Sequence, residues 1–227
     1  MPEINLIDFF TYFKGTPEQK EGVQLLQSAM PDSLLRDQSA WVQQYRKQPE
    51  DPGGICNPDL MHRLTGHPAN TFSDVFCSDC NRLYRETGFD KHLDAMQMLM
   101  ANMAHETAGF VYMKEIASGN AYNNRSDLGN GPTDGPVYKG AGVLQLTGRY
   151  NYQRLAENIN DPKVMDGVDY VSETYPFTSA KTWIKDNELL KVCLNQGFEA
   201  CCVKINGGYN GFEDRCSWYK KCQLYMV

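Results

Sequence analysis

The stretch AHETAGFVYMKEIASG, residues 104 to 119, sets two glutamates, Glu106 and Glu115, nine positions apart with aromatic residues and Gly109 between them. Two carboxyl groups in unlike surroundings suit the cleavage of a glycosidic bond. One, protonated, donates to the leaving oxygen; the other, ionised, activates a water or attacks the sugar carbon. Glu106 follows an apolar, Met-rich segment, so partial burial is expected to disfavour its charge and raise its pKa. Glu115, beside Lys114 and heading a polar segment, is expected to stay ionised. On one continuous helix the pair would stand about 13.5 Å apart along the axis and half a turn around it. Cooperation therefore requires the helix to end between them, most easily at Gly109. A plainer reading stays open: Glu106 as a helix-end carboxylate bonded to nearby donors and Glu115 as a solvated loop charge, because structural ion pairs are common.

The element carrying Glu106 is legible. In DKHLDAMQMLMANMAHET, Leu93, Met96, Leu99, Met100 and Met103 recur at helical spacing, which predicts a helix over 90–107 with the methionines as adaptable core filler. ASGNAYNNRSDLGNGPTDGPVYKGAG, residues 117–142, is dense in Gly, Asn, Asp and Pro, long for a loop, and of the kind that carries function. Further helices are expected at 149–158, 178–188 and 212–223, with INGG at 205–208 as a turn. There is no internal repeat and no βαβ alternation, and short strands have room only in the middle segment, so the fold class is mainly α (α+β). Toward the N-terminus, Thr16 as N-cap, Pro17 at the first helical position and Gln19 predict a helix over 17–29. A second, within residues 32–48, stops at Pro49. The Pro- and Gly-rich QPEDPGGICNPD, residues 48–59, reads as a connection. We therefore expect an N-terminal helical hairpin over 1–50, of unassigned role, and one main domain over 51–227.

With 41% hydrophobic and 22% charged residues, the 227-residue chain is of ordinary globular composition. A net charge of -6 gives no basic field, which argues against nucleic acid as a partner. No run of some twenty apolar residues is present, so no membrane insertion is expected. The start, MPEINLIDFFTYFKG, lacks a basic leader and predicts no secretion signal, yet eight cysteines (56, 77, 80, 193, 201, 202, 216 and 222) are many for a reducing cytoplasm. A protein made in the cytoplasm and acting in the periplasm or cell wall, or carried in a virion, reconciles the two. Cys77 and Cys80 with Cys56 and His62 or His67 are half of a zinc signature; a disulfide from Cys216 or Cys222 is the competing reading, with connectivity open.

Three separated motifs, AHETAGF, VYKGAGVLQLTGRYNY (137–152) and KINGGYNGFEDR (204–215), together resemble the family 19 glycoside hydrolases, the group of plant chitinases and many phage endolysins. The resemblance spans about residues 75–220 and implies a lysozyme-like, mainly helical fold with an inverting mechanism on β-1,4 links beside N-acetylglucosamine-type sugars, without a metal or organic cofactor. It implies Glu106 as general acid, Glu115 as base and Thr147 as the hydroxyl that holds the attacking water. An inverting pair must sit about 6.5 to 9.5 Å apart to admit that water. Tyr138, Gln145, Asn151 and Asn206 match groove-lining positions; Arg215 matches an arginine in the ion network around the acid, and His105 adjoins the acid. Thr147 also suits a helix N-cap, and Tyr138 and Asn151 suit ordinary packing or turn roles. One departure stands out. The family usually reads Gly-Arg-Gly where this chain has Gly140-Ala141-Gly142, a lost charge for which Lys139 is a candidate substitute. Asp127 is a reserve candidate for the base.

These expectations describe a phage-type endolysin or virion-associated lysozyme that hydrolyses peptidoglycan or another N-acetylglucosamine-containing glycan. Residues 1–47 are candidates for contacts with other virion proteins. The alternatives are a chitinase, a non-catalytic virion or glycan-binding module on the same fold, and a zinc-stabilised interaction domain.

Overall fold

The structure, a computed structural model, describes residues 54–227; the helices expected at 17–29 and within 32–48 lie outside the described residues. Within them the chain is helical, and its only β pairing is a pair of isolated bridges, Lys114 with Ala141 and Ala141 with Leu146. No described helix is long and apolar enough to cross a membrane.

Two early helices are set by their ends. α1, Pro58–Thr65, starts where the Asn57 side chain accepts from Leu60 N and Pro58 fixes the first turn; it stops at left-handed Gly66. α2, Asp74–Thr87, starts where Ser73 Oγ accepts from Phe76 N and stops at Gly88. α3 runs Leu93–Glu106, close to the expected span, and its Met96, Leu99, Met100 and Met103 are buried as the periodicity predicts. Leu93, counted in that apolar stripe, is instead 40% exposed, because the first residue of the helix lies outside the packed face.

The long loop, 117–142, contains one short helix, α4, Asp134–Val137, and after it comes α5, Arg149–Ile159. α6 follows at Val168–Thr174. The helix expected at 178–188 is a 3-10 turn at Thr178–Ala180 followed directly by α7, Lys181–Asp186, and left-handed Glu188 turns the chain before α8 begins. α8, Leu189–Asn206, bends at Gly197, whose φ of 80° and ψ of -168° are not helical. α9, Phe212–Tyr225, follows the turn after Asn206.

α3 is the central element: α9 packs along it most extensively, α8 also lies on it, and α9 reaches α1. The main apolar cluster gathers around it, including Leu60, Leu64, Leu83, Phe89, Leu99, Met100 and Phe177. At about 1.5–3 kcal/mol for each fully buried large side chain, this burial holds the α3 end that carries Glu106. A second cluster, with Tyr138, Ala141, Tyr152, Leu155 and Val171, sits under the segment that follows the long loop.

No disulfide links the described cysteines. Cys216 and Cys222 both lie in α9, so a bond between them is ruled out by about 9 Å of helical rise. The zinc reading is likewise not assembled: no three His, Cys, Asp or Glu side chains converge among the described residues, and His62 Nδ1 is engaged by His67 O at 2.7 Å.

Candidate active site

The helix that carries Glu106 ends on that residue, three positions before Gly109. Thr107 closes it: the Thr107 hydroxyl donates to Met103 O at 2.7 Å and accepts from Phe110 N at 2.9 Å. Ala108, Gly109 and Phe110 then take consecutive left-handed conformations, with φ of 50°, 75° and 68°. Such a run is costly for Ala and Phe and continues no helix. The chain thus turns between the two glutamates, as their cooperation requires.

Glu115 is fastened where the turned chain meets the segment 140–147. Its backbone N donates to Gly140 O, Gly140 N donates to its Oε2 at 2.9 Å, and Tyr122 OH donates to its Oε1 at 3.1 Å. A Cβ at Gly140 would meet Gln145 Oε1 at 2.3 Å and Glu115 Oε2 at 3.2 Å, so any larger residue there would displace the Gln145 side chain. Partial burial and the bond to Glu115 raise the Tyr122 pKa, which keeps the phenol protonated as a donor. Lys114, the neighbour in sequence, turns away to Asp169 at 2.6 Å.

Glu106 keeps 27% of its side-chain surface, and its Oε1 accepts from Arg215 at 2.5 Å. Arg215 is buried, at 1% exposure. Its second terminal nitrogen donates to Asn102 Oδ1 at 2.7 Å, and Asn102, one turn before Glu106, donates in turn to Met98 O. No described residue donates to Glu106 Oε2. His105 Nδ1 lies 2.7 Å from Asp214 Oδ2, which also accepts from Trp218 Nε1. Gly211, at φ 71°, lets the His105 ring close in: a Cβ there would lie 2.2 Å from it.

Thr147 does not cap α5; Gly148 occupies that position, and the Thr147 hydroxyl donates to Gln145 O at 2.8 Å. The bond fixes the hydroxyl and leaves its lone pairs to accept. Gln145, left-handed at φ 53°, donates to Gly142 O, and Asn151 donates to Thr147 O, so all three are bound into one short segment. Tyr138 departs from its expected groove position. It is 4% exposed, packs edge-on against Tyr152 and lies under Arg149, because its ring completes the second apolar cluster. Asn206 ends α8 with a buried Oδ1 that has no hydrogen-bond partner among the described residues.

Lys139 does not replace the missing arginine: its Nζ donates to Ala117 O. Ala141 is fully buried between its two bridges. Asp127 is held on both oxygens by exposed Arg125, at 2.8 and 2.6 Å, which lowers its pKa and occupies it locally. Asn102, Tyr122 and Asp214 contact the site without having been singled out in sequence. Asn102 had a signal, as a polar residue inside an apolar helix one turn before Glu106; Tyr122 and Asp214 had none.

The described residues form a mainly helical molecule of the family 19 chitinase fold. Chitinase C from Streptomyces griseus superposes with a TM-score of 0.58, over 77% of this chain and 94% of that one at 17% identity. A second bacterial family 19 chitinase gives 0.58 over 76% and 95%, at 16% identity. In sequence the chain is family 19 chitinase-like. It is 30% identical over 135 residues to endochitinase A of Zea mays, covering 56% of this chain and 48% of that protein. An endochitinase of Arabidopsis thaliana is 32% identical over 150 residues, 63% of this chain and 50% of its own. A glycosyl hydrolase family 19 domain-containing protein of Haemophilus influenzae is 27% identical over 161 residues, 54% and 76% of the two chains. The chain thus spans about half the length of these plant relatives. No family model matches it.

Proposed function

We propose that this chain is a glycoside hydrolase that cuts β-1,4 links beside N-acetylglucosamine-type sugars, with inversion, and that its substrate is peptidoglycan. The observation that carries the reading is the turn after Glu106, which ties Glu115 to the segment holding Gln145 and Thr147. Because Arg215 occupies Oε1, the neutral acid holds its proton on Oε2 and delivers it to the leaving oxygen from there. Glu115 has one lone pair on each oxygen taken by a fixed donor, and the others accept from the attacking water. Thr147 Oγ accepts the second water proton, so the water is oriented by two acceptors. The short interval between the glutamates, which resembles the phage-type pattern, favours peptidoglycan and a role as endolysin or virion-borne lysozyme.

The test compares wild type with Glu106→Gln on purified peptidoglycan and on chitin oligosaccharides. The variant should lose about 10²–10⁴-fold in kcat and remain folded, with a lowered thermal midpoint because buried Arg215 loses its carboxylate partner. Equal turnover by both proteins rejects Glu106 as the acid. A chitinase is the second reading, favoured by the names of the plant relatives, and cleavage of chitin but not peptidoglycan would select it. Binding without cleavage of either would select the glycan-binding module.

A further inference from the structure

Asp79, on α2, is a buried carboxyl group that the proposed reaction does not use. It is 6% exposed, and three donors converge on it. Phe177 N and Thr178 N reach Oδ2 at 2.8 and 2.9 Å, and the Thr178 hydroxyl reaches Oδ1 at 2.5 Å. Burial raises its pKa, partly offset by these bonds and by the nearby charge of Arg82. The donors belong to the start of the turn Thr178–Ala180, so the carboxyl fixes residues 176–179 in place.

That short stretch is what the segment 140–147 leans on. Val143 N donates to Pro176 O at 2.8 Å. Gly142, at φ 73°, packs so closely that a Cβ would lie 2.0 Å from Ser179 Oγ and 2.5 Å from Pro176 O. Gly142 N in turn donates to Met113 O, two residues before Glu115, and Ala141 bridges both Lys114 and Leu146. A continuous series of bonds therefore runs from Asp79 through residues 176–179 to the segment that holds Glu115, Gln145 and Thr147.

We propose that Asp79 is a positioning residue for the water-activating half of the site. It touches no substrate; it sets the height of residues 140–147 against the Glu115 carboxylate. The proposal rests on the hydrolase reading above. A misplacement of about 1 Å at a reacting group costs on the order of 10²-fold in rate. Loss of the anchor should therefore act on kcat and leave ground-state binding nearly unchanged.

The test pairs Asp79→Leu with Asp79→Asn, two side chains of similar shape. The amide can accept both backbone N–H bonds on its oxygen and donate to the Thr178 hydroxyl, so it preserves the anchor; leucine removes it. Asp79→Leu should lower kcat by about 10–100-fold with KM within about 2-fold, and Asp79→Asn should retain kcat within about 3-fold. Amide hydrogen exchange should rise over residues 140–147 in the leucine variant and not in α3 or α9. Thr178→Val, rescued by Thr178→Ser, gives the same comparison should the leucine variant fail to fold. Wild-type kcat with unchanged exchange over 140–147 overturns the proposal, as does faster exchange spread evenly over α3 and α9. A wild-type protein that cuts no glycan rejects the hydrolase reading, while the exchange measurement still decides the anchor.

Discussion

Arg215 meets Glu106 on one oxygen and Asn102 on its other side, so the acid is held by a cation that is itself aimed by a neutral amide. The other oxygen of Glu106 receives no hydrogen bond from a described residue. Glu115 is held differently, by a backbone N–H and a phenol. Removing the phenol hydroxyl isolates one donor. Tyr122→Phe should lower kcat about 3–10-fold, the size of one net hydrogen bond of about 1 kcal/mol, with the thermal midpoint unchanged; kinetics on a soluble oligosaccharide together with a melting curve check this. At this scale the sequence revealed the two carboxylates through residue type and spacing. Of the residues around them it offered Arg215, through the family resemblance, but neither Tyr122, which lies in a segment without periodicity, nor Asp214, which reaches His105 across 109 positions.

The helices divide by the kind of signal they carry. α3 was readable because its apolar residues repeat at helical spacing and burial follows that repeat. α1 and α2 have clear caps, Asn57 before Pro58 and Ser73 with Gly88, but the adjacent Pro- and Gly-rich stretch and the Cys77–Cys80 pair invited other readings. α8 was hidden by Gly197, which interrupts the apolar pattern where the helix bends. Where the acid-bearing helix stops was legible to within three residues; the left-handed run that follows could not be foreseen for Ala108 and Phe110, residue types that seldom adopt it. Gly211, at the start of α9, carries a prediction of its own. Gly211→Ala combines a left-handed backbone with a Cβ driven into the His105 ring. It should destabilise the fold by about 2 kcal/mol in urea unfolding and lower activity through the displaced His105–Asp214 contact.

Two apolar clusters support the two halves of the site, the larger beneath Glu106 and the smaller beneath residues 138–152. The smaller one is joined to the long loop by a charged clamp: Arg149 grips both oxygens of Asp134 at 2.7 and 2.8 Å, and Gly131 N adds a third bond. These donors, Arg149 first, pull the Asp134 pKa from 3.8 to about 2. A depressed carboxyl pKa contributes stability that is complete above the unfolded value and fades as pH falls through the folded one. The clamp should therefore support the fold fully above about pH 4 and be lost toward pH 2. Denaturant midpoints measured across that window should fall more steeply in wild type than in Arg149→Met; parallel curves would show that the clamp contributes nothing.

The sealed position of Ala141 also constrains what can replace it. A guanidinium introduced there would enter a closed apolar setting, and the carboxylate held at the adjacent Gly140, that of Glu115, already accepts one bond on each oxygen. An unpaired buried charge costs several kcal/mol, about the margin on which a domain survives. Ala141→Arg on its own should therefore lower the thermal midpoint, because space must open around residue 141 before a guanidinium can be housed there.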